Sequence, residues 1–380
     1  MYDVIVVGGG PVGSYMAGKL AGAGQRVVVL ERKGKLGEPV CCAGIIGMEC
    51  AETFGADDST VLNRVNGARL HSPSGKHISL WRERPQAVVV NRAAFDTTMA
   101  DRARNKGAEY VLNTTVTDIR VSTSKAEVAA TRRGTSLVME ARAVVVANGF
   151  GSRLTEQLRL GRIGDSVIGA QTEVTTSGLE AIEVYFGREV APGFFAWLVP
   201  VAPTRALVGM MSRRSPELYM ERFISSLQAQ GKISSVEVKP CYRSIPLRPL
   251  PRTRGERLMV VVYYGLLCAD MGADCLQPAL EKDDLSARAL AGYERRWKRK
   301  IGRELRIGYW ARRLYEHLSD GQVDRIFDIT KASGIDKTLM AAEDLSFDWH
   351  GDVVLKLLAH RVITGAIEMM KISWYNKHRI

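Results

Sequence analysis

YDVIVVGGGPVGSYMAGKLAGAGQRVVVLERK, residues 2–33, decides the fold. Tyr2–Val7 is of strand length and ends in the apolar run Val4–Val7, rich in β-branched valine, and predicts a buried strand. Gly8-Gly9-Gly10-Pro11-Val12-Gly13 follows with GxGxxG spacing. Ser14–Ala23 then reads as a helix of small residues, Val27–Leu30 as the next strand, and Glu31 ends that strand. Each residue type has a physical reason. Gly8 allows the tight turn, Gly10 lets the backbone approach a pyrophosphate, and Gly13 lets the helix pack closely on the sheet. The helix start offers free N–H groups and a positive dipole end to phosphates. Glu31 is placed to accept hydrogen bonds from a ribose diol and to repel a 2′-phosphate. A glycine-rich turn alone would be weak evidence. Strand, motif, helix, strand and acid in register predict a dinucleotide site. The motif does not choose between FAD and NAD, but a chain that begins just before the motif's strand favours FAD.

The bulk properties agree with this reading. The chain has 380 residues, enough for two or three domains, and its 46% hydrophobic and 25% charged composition is that of a soluble α/β protein. The formal charge of +12 is concentrated: residues 295–313 hold nine Lys/Arg against one acid, Glu304. That favours an anionic partner. Within this stretch Trp297, Ile301, Leu305 and Tyr309 recur every four residues, a basic amphipathic pattern suited to an anionic membrane surface. The tail over 353–374 is amphipathic too. No base-reading motif accompanies the charge, so nucleic acid is not expected as a partner. The six cysteines form no CxxC pair and no metal-binding spacing with histidine, which predicts scattered thiols in a reducing, cytoplasmic setting. The N-terminus lacks a basic leader and a cleavage site. Its apolar stretch is broken by five glycines between Gly8 and Gly18, so neither a signal peptide nor a membrane span is expected.

Further motifs follow along the chain. Asn91-Arg92-Ala93-Ala94-Phe95-Asp96 follows a valine run and opens a helix, Val116 closes a later strand, and Ala143–Ala147 forms another before Asn148-Gly149-Phe150-Gly151-Ser152. At these residues the chain resembles the geranylgeranyl reductase family of FAD-dependent oxidoreductases, within the wider group that includes aromatic hydroxylases. The resemblance runs over roughly Met1–Asp328. Glu38-Pro39-Val40-Cys41-Cys42-Ala43-Gly44 is similar to the family's Pro-x-x-Cys-x-Gly segment, which implies Cys42 near the flavin ring. Phe195-Ala196-Trp197-Leu198-Val199-Pro200 looks like the family's Tyr-x-Trp-x-Phe-Pro motif, with Phe195 and Val199 replacing two of the aromatic places. The resemblance implies cofactor contacts at Gly8, Gly10, Pro11, Val12, Gly13, Glu31, Arg32, Cys42, Ala43, Gly44, Arg92, Val116, Asn148 and Gly149. It implies substrate contacts at Phe195, Trp197 and Pro200, and a catalytic part for Cys42 in shaping the flavin site or relaying a proton. For each of Cys42, Trp197 and Arg92 a purely structural part stands beside the functional one; Arg92 has Asp96 one helical turn away.

One stretch departs from the family pattern. LMVVVYYGLLCADM, residues 258–271, runs from a valine strand into a helix with only Tyr263-Tyr264 between them. The family carries a Gly-Asp-Ala-Ala-Gly segment there, followed by proline and glycines, which holds the ribityl and diphosphate groups and aims a helix start at the flavin. A stretch of the natural protein lying outside this sequence, a deletion in the gene, and a scaffold without flavin all account for it.

The expected fold is α/β, a Rossmann-like FAD-binding domain with a β-sheet-rich substrate domain and a helical C-terminal region. The expected boundaries are 1–70, 90–155 and 245–285 for the FAD domain, 71–89 and 156–244 for the substrate domain, and 286–380 for the helical region. The implied activity is saturation of isoprenoid double bonds in a prenyl or lipid substrate, with NAD(P)H or a reduced ferredoxin as electron donor. A flavin monooxygenase or halogenase, and a flavin-free relic that binds lipid or a partner protein, are the alternatives.

Overall fold

The computed structural model describes residues 1–150, 153–261, 265–341 and 349. The described residues divide into two compact units: those within 1–40, 91–166 and 244–302 form the first, and those within 41–90, 167–243 and 303–341 the second.

In the first unit the strands Glu109–Val111, Val27–Leu30, Tyr2–Val7, Thr135–Val146 and Leu258–Val260 lie side by side, all parallel. Their residues are apolar on both faces because the sheet is covered on both sides: Val4, Ile5, Val6, Val28, Val144 and Val260 have no exposed surface. The strand Thr135–Val146 is long enough for two tasks. Its first half pairs antiparallel with Ala126–Arg132, and its second half pairs parallel with Tyr2–Val7. Val116 lies inside the strand Thr114–Val121, opposite Ala130, and does not close it, because pairing with Ala126–Arg132 resumes past a bulge through Asp118 to Val121. The helix Pro11–Gly22 packs on this sheet, and the helices Arg92–Asn105 and Gly265–Glu281 pack on that helix. A Cβ at Gly18 would stand 3.2 Å from the Ala103 backbone, so glycine sets how closely the first two helices approach.

The second unit is built on a larger, mostly antiparallel sheet. Its order is Ile233–Val236, Ser166–Thr176, Arg205–Ser212, Phe195–Ala202, Ile182–Phe186, Gly67–His71 and His77–Trp81. A three-stranded sheet, Ile45–Gly47, Ala87–Val90 and Val61–Val65, shares a core with it through Val65, Val89, Ile182, Val199 and Val201. The helix Pro216–Ala229 covers part of the large sheet. The helix Asp320–Ala332 begins at a Ser319/Gln322 capping box and buries Val323 and Phe327 against Ile78 and Leu318.

The expected boundaries placed residues 41–70 with the first unit. They go with the second, because Gly67–His71 pairs with Ile182–Phe186 and Val61–Val65 with Ala87–Val90. The start of the helix Ala291–Tyr315 goes with the first unit: Tyr293 donates to the Val260 carbonyl at 3.0 Å, and the Trp297 indole to Thr253 Oγ1 at 2.9 Å. Trp297 and Ile301 are therefore core residues, and the apolar stripe expected to meet a membrane is half consumed inside the protein. The basic face, Arg295, Arg296, Lys298, Arg299, Lys300, Arg303 and Arg306, stays exposed. The stretch 353–374 lies outside the described residues. Among the described residues no helix is long and apolar enough to cross a membrane, and no group of three or more His, Cys, Asp or Glu is placed to hold a metal ion.

Candidate cofactor and substrate sites

The glycine turn follows from its neighbours. Gly8 has φ +108°, and a Cβ there would stand 2.5 Å from the Ala147 carbonyl oxygen, so the residue has to be glycine. A Cβ at Gly13 would meet the Gly8 carbonyl oxygen at 2.0 Å. Gly10 differs: a Cβ there would meet nothing within 4 Å. The space beside Gly10 is open, and the helix that follows starts with Pro11, with no acidic residue in its first turn and no side-chain cap. Its first N–H groups thus face that space with the positive end of the helix dipole.

Glu31 is buried at 8% exposure beside this turn. Gly9 N–H donates to its Oε2 at 2.7 Å and Lys33 N–H to its Oε1 at 2.9 Å. The carboxylate therefore shapes the glycine turn, and each oxygen keeps a lone pair for a further donor. Asn148 is brought to the same place by the close approach of Gly8 to its Cα, and Gly149 (φ +69°) lies beyond it with nothing within 4 Å of a built Cβ. Arg32 is exposed next to Glu31. An open glycine, an uncapped helix start and a carboxylate at the end of the second strand together fit the adenosine diphosphate half of a dinucleotide.

Two supports of this turn carried no signal in the motif. Tyr110 donates to Ser14 Oγ at 2.9 Å, and Ser14 Oγ to the Gly9 carbonyl at 3.2 Å, so a buried hydroxyl chain holds the turn from beneath. Lys19 bridges Asp270 at 2.6 Å and Asp274 at 2.8 Å, joining the first helix to Gly265–Glu281. Burial alone would lower the Lys19 ammonium, but the two carboxylates outweigh it and push it up to about 12.

Arg92 opens its helix after Asn91, whose side chain accepts from Ala94 N–H at 3.2 Å as the N-cap. Its guanidinium grips Asp96 at 2.9–3.2 Å, so the ion pair expected across one turn is formed. Burial raises the Asp96 carboxyl, and Arg92 opposes the shift. At the other end, a Cβ on Gly265 would meet Val12 Cγ2 at 2.3 Å, so the helix Gly265–Glu281 starts against the glycine turn itself. The junction at Val262, Tyr263 and Tyr264 lies outside the described residues.

The other predicted residues belong to the second unit. Cys42 is an exposed free thiol, and Gly44 N–H approaches its sulfur at 3.5 Å. Ala43 is half-buried; Gly44 has φ +72° and presses on Val90, where a Cβ would come within 2.4 Å of the carbonyl oxygen. The expectation of unpaired thiols fails at the preceding residue, since Cys41 is bonded to Cys241. The two lie 200 residues apart, so spacing carried no hint of the pair.

Phe195, Trp197 and Val199 alternate along one strand and share a face of the large sheet. Phe195 is 37% exposed, with the rings of Trp197 and Phe186 at 6.1 and 6.4 Å. Trp197 is paired with Gly209 across the strands, and a Cβ on Gly209 would stand 2.3 Å from the indole. A glycine in mid-strand costs stability, and here it lets the ring lie flat on the sheet. Pro200 occupies a point where the register shifts, the position at which a strand tolerates proline.

Comparison with known proteins gives this geometry its context. Residues 44–226 match the FAD dependent oxidoreductase family model. The chain is 29% identical over 366 aligned positions to a digeranylgeranylglycerophospholipid reductase from Methanocaldococcus jannaschii, covering 88% of this chain and 93% of the relative. Because 366 positions take in only 88% of 380 residues, the relative holds residues with no counterpart here. In fold, a geranylgeranyl bacteriochlorophyll reductase-like protein from Thermoplasma acidophilum matches with a TM-score of 0.85 at 22% identity, over 97% of this chain and 98% of that one. A p-nitrophenol 4-monooxygenase from Pseudomonas putida matches at 0.71 and 16% identity, over 94% and 97%. In family match, sequence and fold, the chain is similar to FAD-dependent oxidoreductases of the geranylgeranyl reductase type.

Proposed function

We propose that the protein saturates isoprenoid double bonds of a prenyl lipid, with the first unit holding FAD and the second taking the substrate. The observation that carries this is the exposed Phe195 ring, flanked by Trp197 and Phe186 where they enter the core, an apolar aromatic patch suited to a polyprenyl chain. The named reductase among the relatives supports the same substrate class. Held in the first unit and reduced, FAD would supply hydride for one alkene carbon. This chain's residues do the rest. Gly10, the helix start after it and Glu31 hold the adenosine diphosphate half. Trp197 and Phe195 hold the prenyl chain and exclude water. Cys42, exposed and free, holds the proton that goes to the second alkene carbon. NAD(P)H or a reduced ferredoxin supplies the electrons. The test is anaerobic incubation of purified protein with a polyprenyl lipid and a chemical reductant, followed by mass spectrometry. A gain of one H₂ per double bond is expected. Oxygen-dependent hydroxylation or halogenation in place of that gain would establish the alternative reading, which the fold likeness to a monooxygenase favours.

Flavin retention is the sensitive point. Only three residues separate Val261 from Gly265, and Gly265 abuts Val12. The chain is therefore expected to hold FAD weakly through its adenosine half. A version with a Gly-Asp-Ala-Ala-Gly-type segment inserted after Val262 is expected to hold it about a hundredfold more tightly, from two or three regained hydrogen bonds. Flavin absorbance and titration calorimetry on both forms decide this, and stoichiometric FAD in the unaltered chain would refute it.

Peripheral contact with anionic membrane rests on the exposed basic face of Ala291–Tyr315, by charge alone, since Trp297 and Ile301 are buried. Sedimentation with anionic but not neutral vesicles, lost at high salt, is the expected result.

A further inference from the structure

Cys41, Cys42 and Cys241 come together at one place, while the half-exposed Cys50 lies on the helix Met48–Phe54. Cys41 and Cys241 form a disulfide with Cα atoms 5.9 Å apart, an ordinary separation. Both residues are half-exposed, and the next residue, Cys42, is an exposed free thiol. Elsewhere, Cys268 is buried at 2% exposure, and burial pushes its thiol up to about 12. Burial raises Cys275 as well. Those two are poor nucleophiles, whereas the Cys41–Cys241 bond joins two half-exposed residues.

The bond's position gives it leverage. Cys41 is the first residue after the chain passes from the first unit to the second, and Cys241 lies three residues before Ser244, where the chain returns. Two crossings that are 200 residues apart in sequence are thus tied to each other by one covalent link. Closing so long a loop removes much chain freedom, and opening it gives that freedom back. The crossing at Cys41 is also the one that carries Cys42.

We propose that Cys41 and Cys241 form a thiol–disulfide exchange site, opened by a dithiol, that controls the freedom of the loop carrying Cys42. A thiolate of the dithiol attacks the sulfur of Cys241. The Cys41–Cys241 bond breaks, and Cys41 leaves as a thiolate and takes a proton. The second thiolate of the dithiol then attacks the mixed disulfide and releases Cys241, which also takes a proton. Two electrons pass into the protein, the dithiol becomes a cyclic disulfide, and the two protons it gave up reside on Cys41 and Cys241. In the opened state Cys42 has a free thiol as its chain neighbour, on a loop no longer anchored to Cys241.

This goes beyond the reductase reading and does not need it, because every readout below works without flavin or substrate. Full-length protein purified without reductant is equilibrated in buffers of graded reduced and oxidised dithiothreitol, its thiols are trapped by alkylation, and the peptides are weighed. The same samples are assayed for thermal midpoint and for the rate of Cys42 alkylation. The expected result is a linked Cys41–Cys241 peptide that opens and recloses as a two-electron couple while Cys268 stays unmodified. Opening should lower the thermal midpoint by several degrees and raise the Cys42 rate several-fold. Cys241→Ser should behave like the reduced protein in every buffer; if it does not fold, the wild type cycled between its two states makes the same comparison. The proposal is overturned if no linked peptide forms, if no dithiol opens it, or if opening changes neither the midpoint nor the Cys42 rate.

Discussion

Glu31 and Glu183 are both buried carboxylates, at 8% and 5% exposure, and the fold holds them in opposite ways. Glu31 is gripped by the peptide N–H groups of Gly9 and Lys33. Glu183 is gripped by side chains: Lys232 Nζ at 2.5 Å and the Tyr185 hydroxyl, with His71 Nε2 at 3.5 Å and Arg69 at 3.7 Å. Peptide dipoles secure a charge without neutralising it, so Glu31 still has an anion's reach towards a ligand. An ammonium neutralises it, so Glu183 serves the sheet. His71 stacks on Tyr185 at 4.5 Å and Phe223 meets the ring edge-on, which covers one side of the second cluster. Burial by itself would raise Glu183, but His71, Lys232 and Tyr185 pull harder and lower it to about 2. Tyr185, for its part, is held well above the ordinary phenol value by burial and by the Glu183 carboxylate.

The largest effect should come from breaking the second cluster. Lys232→Met leaves a buried carboxylate without its ammonium and should cost about 3 to 5 kcal/mol of stability, read from denaturant midpoints. Adenine-nucleotide affinity per folded molecule should not change, because Glu31 lies in the other unit; a parallel loss would show that the two carboxylates are not independent.

Acid should act on the same cluster. The folded carboxyl of Glu183 is lowered from 4.5 to about 2, so its contribution is present above pH 4.5 and disappears as the pH falls towards 2. A shift of that size corresponds to about 3 kcal/mol. Urea titrations across that window should show the loss in the wild type and a shallower slope in Lys232→Met. Equal slopes would assign the acid sensitivity to other groups.

Gly10→Val sharpens the comparison from the other side. Its side chain would enter open space, so the protein should fold normally, yet adenine-nucleotide affinity should fall about a hundredfold or more because the valine takes the diphosphate's place. Calorimetric titration measures it, and unchanged affinity would mean that the turn is not the diphosphate site.

The smallest effect is expected from Glu31→Gln. Gln keeps one acceptor for the two N–H groups and loses the charge, so nucleotide affinity should drop about tenfold with little change in thermal midpoint. A collapse in stability instead would make Glu31 a purely structural group like Glu183.

The dinucleotide turn was legible because its constraints are local. Gly8 takes a positive φ within the turn, Gly13 answers to the Gly8 carbonyl five residues back, and Glu31 ends the very next strand of the same βαβ unit. The N-cap at Asn91 and the Arg92–Asp96 pair were legible for the same reason, being one helical turn in length. The Glu183 cluster was not legible. It joins Gly67–His71 to Ile182–Phe186 and to Lys232, and no spacing rule links those positions. Nor did anything in the chain mark Gly209 as the partner of Trp197, a relation set by strand register. The basic helix was half legible: its period predicted an apolar stripe, but periodicity cannot tell a stripe that meets lipid from one that meets Val260 and Thr253.

By itself the sequence determined the parallel Rossmann-like core, the open glycine beside a capless helix start and the acid at the second strand's end, because hydrophobic period and backbone sterics act between near neighbours. Only the tertiary structure decided that residues 41–70 join the second unit, that Cys41 is bonded to Cys241 and that Trp297 is core. Those outcomes depend on which distant surfaces bury each other. Strand pairing and packing select among many partners of equal local merit, and that choice is made by the whole chain's free energy and by no short segment of it.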